Sequence, residues 1–309
     1  MRTARVSLFL LVVCLLTPPV VAVSVIRVPQ DAATIQAAVD RAQPGDVILV
    51  RPGLYLEAVI IRTSGISLIA DVPDDHIFRG PDERVILDGE MTRTRLIRVR
   101  GEPGAPVSDV VIRGFWLRRF KDRGISLENT QECRVENNEA SDGAPLPDFS
   151  AGMWLDNSSF TTVAGNYFHD TTMFGLGIGG SHFNIVRGNL FLRIHDRQPQ
   201  PTGCGISTWN ASRNVIIQNR FEFNGWGILF QSDRTPSTAN LVQENTLHSN
   251  YLRAIEIDEP NNGNWVLNNN ATGNSIQHRG PPGRFDLWDV GEMNNVWQGN
   301  QAYSPFTPR

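Results

Sequence analysis

Two histidines that are each followed directly by an aspartate are the residues in this sequence best suited to proton transfer. They are His169-Asp170 and His195-Asp196, and Arg197 directly follows the second pair. Histidine exchanges protons near neutral pH, and a neighbouring carboxylate can orient its ring and raise its pKa. Arg197 could neutralise the carboxylate of an acidic sugar during catalysis. Such pairs also occur in polar loops where they only cap turns, so both interpretations stay open.

A second group of residues is suited to binding sugar rings. These residues lie in Gly-apolar-x-apolar phrases, whose alternation is typical of half-buried strands. On three successive phrases the outward positions hold Trp154 and Asp156, then Gly177 and Gly179, then Trp209. We expect the two tryptophans to stand about 10 Å apart, at two strand spacings, with glycine as the floor of a groove between them. Alternatively, the tryptophans cover loops and the glycines permit close packing.

Acidic residues occupy outward positions on the later phrases. Asp233, Glu256 and Asp258 are the residues concerned. Hard carboxylates at such spacing could bind Ca²⁺, which is the one cofactor that the sequence suggests. A solvated acidic edge that discourages strand pairing is the other interpretation.

A recurring asparagine shows how these phrases are organised along the chain. It is the last residue of a Val-x-x-Asn type of phrase, and successive occurrences are 28, 23, 30, 26, 24 and 31 residues apart. The asparagines are Asn138, Asn166, Asn189, Asn219, Asn245, Asn269 and Asn300. Short strands at this period indicate a solenoid, and three strands per turn fit the step. Stacked coils place equivalent residues about 4.8 Å apart, so the amides can form a hydrogen-bonded ladder at a tight turn. The sequence therefore predicts an all-β, single-stranded parallel β-helix.

The start of this solenoid has a different pattern. Ile35, Ala38, Val39 and Ala42 recur at helical spacing, within a segment of about residues 31–46. An amphipathic helix here would cover the open end of the solenoid, where core and unpaired strands are otherwise exposed. We therefore predict an N-terminal capping helix.

Residues 1–22 have the features of a signal peptide. A short positive start precedes an apolar run over residues 6–16, and small residues follow at the usual cleavage positions. The run is too short to span a bilayer of about 30 Å. We expect residues 23–309 to form one β-helix domain that is secreted or periplasmic, monomeric and not inserted in a membrane. The net charge of −4 argues against a nucleic-acid partner.

The two cysteines of the mature chain, Cys133 and Cys204, fall three coils apart in this register. That separation is about 14 Å by strand spacing. A disulfide needs Cα atoms within about 7 Å of each other. We therefore predict two unpaired thiols, buried or half-buried.

The opening segment, from Ile35-Gln36-Ala37-Ala38 through Pro44-Gly45-Asp46 to Val50–Tyr55, resembles the pectin-lyase-like right-handed β-helix superfamily, as do the later Gly and Asn phrases. The resemblance implies a right-handed coil and a polysaccharide on the outer face of the Gly strands, with the preceding loops as the cleft wall. The superfamily includes lyases, hydrolases, esterases, epimerases, adhesins and periplasmic accessory proteins. The Gly-His-Gly of polygalacturonases is absent, and the Asp-Pro-His-Asp of mannuronan epimerases has only a partial counterpart at 194–197.

Two functions of different classes follow from these features. The first is a carbohydrate-active enzyme, lyase-like or epimerase-like, that acts on an acidic polysaccharide. The second is a noncatalytic β-helix that binds glycans or a partner through the same face. A periplasmic accessory protein for metal-enzyme maturation is a third interpretation, although the methionines are too scattered to suggest a copper site.

Overall fold

Three long parallel sheets form the faces of a right-handed β-helix. The computed structural model describes residues 23–195, 202–231, 235–276, 285–290 and 294–302. From the second strand to the sheet A strand at residues 265–267, the described chain visits sheets A, B and C in turn, and each strand pairs in parallel with its counterpart one coil away. The predicted fold class is therefore confirmed.

The strands of sheet A are β1 (Val25–Val28), β2 (Val47–Val50), β5 (Ser67–Ala70), β9 (Val111–Arg113), β13 (Arg134–Glu136), β16 (Thr162–Ala164), β19 (Ile185–Arg187), β22 (Val215–Ile217), β25 (Leu241–Gln243), β28 (Trp265–Leu267) and β30 (Val296–Gln298). Those of sheet B are β3 (Gly53–Tyr55), β6 (Val85–Asp88), β10 (Phe115–Arg118), β14 (Glu139–Ser141), β17 (Tyr167–His169), β20 (Leu190–Leu192), β23 (Arg220–Glu222) and β26 (Thr246–His248).

Sheet C contains the Gly phrases. Its strands are β4 (Val59–Ile61), β7 (Arg95–Arg100), β11 (Arg123–Glu128), β15 (Ala151–Asp156), β18 (Phe174–Gly179), β21 (Cys204–Trp209), β24 (Trp226–Phe230), β27 (Arg253–Ile257) and β29 (Leu287–Asp289). A short pair, β8 (Val107–Ser108) and β12 (Thr130–Gln131), lies at the corner between sheets C and A. Two 3₁₀ turns cover His76–Phe78 and Pro81–Glu83.

The core is built from columns of equivalent residues. On sheet B, Phe168, Phe191 and Phe221 stack with ring centroids 5.2 and 4.8 Å apart. All three rings are fully buried. Because a coil has too few inward side chains to enclose a core alone, stacking on neighbouring coils supplies the burial.

The capping helix is present as α1 (Ile35–Arg41), and it buries Ile35, Ala38 and Val39. The hydroxyl of Thr34 accepts a hydrogen bond from the backbone N–H of Ala37, as an N-cap does. The carboxylate of Glu57 binds two further free N–H groups of the first turn, at 3.0 Å each. The predicted helix is confirmed and shorter than the 31–46 segment.

The asparagine ladder is also confirmed. Along the predicted series from Asn138 to Asn300, each Nδ2 donates to the next Oδ1 over 2.9–3.1 Å. The left-handed backbone conformation falls one residue before the ladder, as at Asn137 and Gln218. Two further ladders occupy the other corners: Asn184, Asn214, Asn240, Asn264 and Asn295 in one, and Asn224, Asn250 and Asn274 in the other.

Both cysteines are free and buried, as predicted. Burial raises the pKa of the Cys204 and Cys133 thiols, so both stay protonated at neutral pH. The predicted signal peptide lies outside the described residues. Within the described ranges, no helix combines the length and the apolar character needed to cross a membrane.

Candidate functional site

The loops that lead from sheet B to sheet C enclose a cavity of about 490 Å³. Its polar lining comprises Asp142, Asp170, Thr171, Thr172, Arg193 and His195, and Met91, Pro145 and Leu146 form an apolar wall. Asp142, Asp170 and Arg193 each follow a sheet B strand at the same left-handed turn position in consecutive coils. Since coils repeat every ~4.8 Å, this register brings Asp170 of one predicted pair and His195 of the other into one cavity.

His169 itself is not among the residues that line the cavity, and two carboxylates hold it. Its Nδ1 lies 2.6 Å from Asp170 Oδ2, and its Nε2 lies 3.1 Å from Glu139 Oε1. Arg84 donates to Glu139 at 2.7 Å, and Arg193 donates twice to Asp170 at 2.8 and 2.6 Å. The five side chains form a row of alternating charge along the outer face of sheet B.

This row controls the protonation of its members. Burial alone would lower the pKa of His169, but the hydrogen bonds to Asp170 and Glu139 outweigh it and raise that pKa above the usual 6.5. Burial likewise opposes ionisation of Asp170, yet the bonds from Arg193 and His169 bring its pKa far below the usual 3.8. Below this raised pKa His169 is an imidazolium, and both of its nitrogens face carboxylates, so the ring offers no free nitrogen to act as a base.

His195 is half-buried at the cavity wall. Its ring meets the edge of Tyr251 with centroids 5.4 Å apart, and its backbone N–H donates to Thr171 at 3.0 Å. Gly203 packs so tightly here that a Cβ on it would lie 2.7 Å from the His195 Cα. Of the predicted catalytic residues, Asp196 and Arg197 lie outside the described residues, so their roles stay predictions.

The outer face of sheet C holds an aromatic cluster. Trp154 and Trp209 stack with centroids 5.4 Å apart and planes 21° from parallel, and Phe174 meets both rings edge-on at 5.6 and 5.0 Å. Ala151, Cys204 and Leu229 lie beneath these rings, and Met173 and Trp226 pack beside them. The cavity and the cluster are adjacent along the chain, because Thr171 and Thr172 line the cavity and the next two residues, Met173 and Phe174, belong to the cluster.

The expectation of an open groove between the two tryptophans was wrong. Gly177 lies in register between Trp154 in one neighbouring strand and Ser207 in the other. A Cβ on Gly177 would lie 2.4 Å from the Trp154 ring. Since Gly177 has no side chain, the ring leans across it onto Trp209 and closes the gap. Gly179 is half-buried and Asp156 is exposed beside them, and a part of these residues in substrate binding stays a prediction.

An arginine group borders this cluster, and the sequence analysis missed it. Arg95 and Arg98 both donate to Glu128, which also accepts from Ser126 at 2.6 Å. Arg123 lies 4.5 Å over the Trp154 ring, a cation–π contact. The 28-residue step from Arg95 to Arg123 matches the first ladder step. Extending the register one coil upstream would have aligned these two arginines.

The three predicted calcium ligands are only partly described. Asp233 lies outside the described residues. The Glu256 carboxylate accepts a hydrogen bond from Trp226 Nε1 and lies 3.7 Å from the Arg253 Nε. Burial and the nearby Glu256 charge raise the pKa of Asp258 to about 6. In the described ranges, no group of three or more histidine, cysteine or acidic residues is placed to hold a metal ion, so a calcium site stays a prediction that depends on Asp233.

Stacked parallel sheets joined by asparagine ladders define the protein as a right-handed parallel β-helix. The chain belongs to the family described as "Right handed beta helix region", whose family model matches residues 97–271. No curated protein matches the sequence.

Several solved structures share the fold. One is XylC in complex with xylose, at 10% identity and a TM-score of 0.61, over 87% of this chain and 64% of XylC, so the chain spans less than two thirds of that protein. Another is the A-module of the mannuronan C-5 epimerase AlgE4 from Azotobacter vinelandii, at 14% identity and 0.54, over 89% of this chain and 84% of the module. The pectate lyase Pel9A matches at 13% identity and 0.57, over 92% and 78%. At such identities the similarity concerns the fold alone.

Proposed function

We propose that this protein is exported and that it binds an acidic polysaccharide along the outer face of sheet C. The observation that carries the proposal is the contact of the arginine group with the aromatic cluster, which the chain connects directly to the cavity at residues 171–174. Arg95, Arg98 and Arg123 are three guanidinium groups that share two carboxylates, Glu128 and Asp122. Guanidinium groups can pair with the carboxylates of an anionic chain, and within this group they outnumber the carboxylates by three to two.

The cavity is the proposed place of reaction. A lyase and a C5 epimerase acting on a uronate both begin by removing the C5 proton next to the sugar carboxylate. In this proposal His195 takes that proton, and Arg193 turns part of its guanidinium toward the sugar carboxylate. Asp170 acts as a positioning residue, because its lowered pKa keeps it charged between Arg193 and His169. The names of the solved structures with this fold, a pectate lyase and a mannuronan epimerase, support uronate polymers as the first substrates to test.

The test is an activity screen of the mature protein on polygalacturonate, alginate and glycosaminoglycans, with and without Ca²⁺. Ultraviolet absorbance detects unsaturated ends, reducing-sugar assays detect hydrolysis and NMR detects epimerisation. We expect activity that falls at least 100-fold in His195→Ala. The matched control is His248→Ala, since His248 is an exposed histidine on the outer face of sheet B, outside the cavity lining. Equal activity of the two variants would exclude His195 as the base.

A noncatalytic glycan-binding β-helix is the second candidate. The observation that favours it is the row of ion pairs, which occupies both nitrogens of His169 and both oxygens of Asp170 with protein partners. This alternative predicts no turnover on any substrate, polyuronate binding that Arg98→Ala weakens, and no effect of His195→Ala on that binding.

A further inference from the structure

We infer that the corner between sheets C and A carries a second, separate carbohydrate site, which takes a neutral sugar chain. A cavity of about 410 Å³ lies there, on the side of sheet C away from the loops of the proposed reaction site. Its lining includes the side chains of Asn129, Gln131, Asn157, Ser159 and Phe160. None of the residues assigned above to polyuronate binding or reaction contributes to it.

A pair of exposed phenylalanines extends from this cavity along the coil axis. Phe160 and Phe183 stack with centroids 5.1 Å apart and planes 10° from parallel, and they are 55% and 42% exposed. Arg213 covers the ring of Phe183, 5.3 Å from its centroid. The exposed ring of Phe160 is the one that lines the cavity.

The backbone at these two positions gives an independent reason to assign them a binding role. In seven consecutive coils, the turn that leads into the sheet A strand has one residue with a left-handed backbone. These residues are Asp109, Glu132, Phe160, Phe183, Arg213, Ala239 and Gly263. Bulky aromatic residues are poorly suited to a positive φ, whereas Gly, Asn and Asp tolerate it. Burial does not explain the phenylalanines either, because both rings face solvent. Aromatic residues that are strained and exposed at a cavity mouth point to a ligand.

The lining determines the class of ligand. An aromatic ring stacks on the apolar C–H face of a pyranose, and amide side chains both donate to and accept from sugar hydroxyls. Asn129, Gln131 and Asn157 place three such amides in the lining. Asn157 Nδ2 donates to Asn129 Oδ1 at 2.6 Å, and this bond holds the two side chains beside each other. Glu102 is the charged side chain in the described lining, so the cavity offers no guanidinium or ammonium group to pair with an acidic sugar. A neutral oligosaccharide fits this surface.

The test measures binding of cellohexaose, xylohexaose and laminarihexaose to the mature protein by calorimetry. We expect at least one to bind, and Phe160→Asn/Phe183→Asn to weaken that binding at least tenfold while folding normally, because Asn accepts the left-handed backbone. Phe223→Asn is the matched control. Phe223 has a positive φ at a different corner, and its exposure of 42% equals that of Phe183.

Asn157→Gly is a second test variant. Gly180 holds the equivalent turn position in the next coil, so the backbone tolerates glycine there.

The experiments can contradict each of the two proposed sites independently of the other. Arg98→Ala should weaken polyuronate binding and leave the neutral oligosaccharide unaffected, and the double phenylalanine variant should do the reverse. If none of the three oligosaccharides binds the wild type, or if the double variant and Phe223→Asn bind them equally well, the second site is wrong. Loss of neutral-sugar binding in Arg98→Ala would show that a single site serves both ligands, which also overturns the inference.

Discussion

At the scale of single residues, His169 links protein stability to pH. Its pKa is raised in the folded state, so its contribution to the free energy of unfolding is complete below the usual pKa of 6.5. The contribution is lost as the pH rises through the raised value. Asp170 works in the opposite direction: its pKa is lowered, so its contribution is complete above the usual 3.8 and is lost as the pH falls.

We predict that His169→Gln lowers the free energy of unfolding at pH 5.5 by about 1–3 kcal/mol, because a half-buried charged partner of Glu139 and Asp170 is removed. The difference from wild type should shrink as the pH rises above neutrality. Urea unfolding between pH 5.5 and 9 measures it. His248→Gln is the control, since His248 is exposed and bonds Ser249. A pH-independent difference would contradict the charged state of His169.

Gly177 provides a second prediction at this scale. An alanine methyl would lie 2.4 Å from the Trp154 ring, so Gly177→Ala must move that ring off Trp209. We expect a loss of about 1–3 kcal/mol of stability, as overpacking usually causes. The circular-dichroism signal of the coupled indoles should also disappear. Gly179→Ala is the matched control, because its nearest neighbour lies 3.9 Å away. An unchanged indole signal in Gly177→Ala would contradict the stacked arrangement.

At the scale of elements, the ladders join the coils at their corners. Buried Asn189 donates to Asn219 and to two backbone carbonyls, and it accepts from Asn166. Asn189→Ala leaves several of these buried groups without partners, so we expect a loss of about 3 kcal/mol. Thermal and urea unfolding of the purified variants measure it.

Asn300→Ala is the variant with which Asn189→Ala is compared. Asn300 is half-buried and forms the last step of the described ladder, where it accepts from Asn269 and donates to Val266. Asn300→Ala should therefore lose about 1 kcal/mol. If both variants lose the same free energy of unfolding, the stabilisation by a ladder hydrogen bond does not depend on its position within the stack, and the prediction is wrong.

At the scale of the whole molecule, export is the prediction to test. Expressed in a bacterium from residue 1, the protein should appear in the periplasm or medium with Val23 as its first residue, because the apolar run of residues 6–16 is long enough for a signal peptide and too short for a membrane span. Intact mass measures the cleavage. Leu10→Arg interrupts the run and should keep the chain inside. An uncleaved, membrane-bound wild type would contradict the prediction.

The sequence by itself determined the features that repeat along the chain. Short alternating strands, a recurring asparagine and a helical segment before the first coils are local patterns, and they correctly predicted the β-helix, its ladder and α1. The same register separated Cys133 from Cys204 and so predicted free thiols. These features follow from backbone periodicity, because every coil must bury its apolar side chains against the next.

Only the tertiary structure decided how side chains from different coils meet. Register predicted that Trp154 and Trp209 lie two strands apart, but it could not show that their rings lean over Gly177 and stack. Register also placed the two histidine–aspartate pairs in neighbouring coils. It could not show that His169, at the end of strand β17, is held between two carboxylates while His195 lines the cavity. A side chain several bonds long can reach across one or two coil spacings of about 4.8 Å, so its partner depends on rotamer and packing rather than on sequence position.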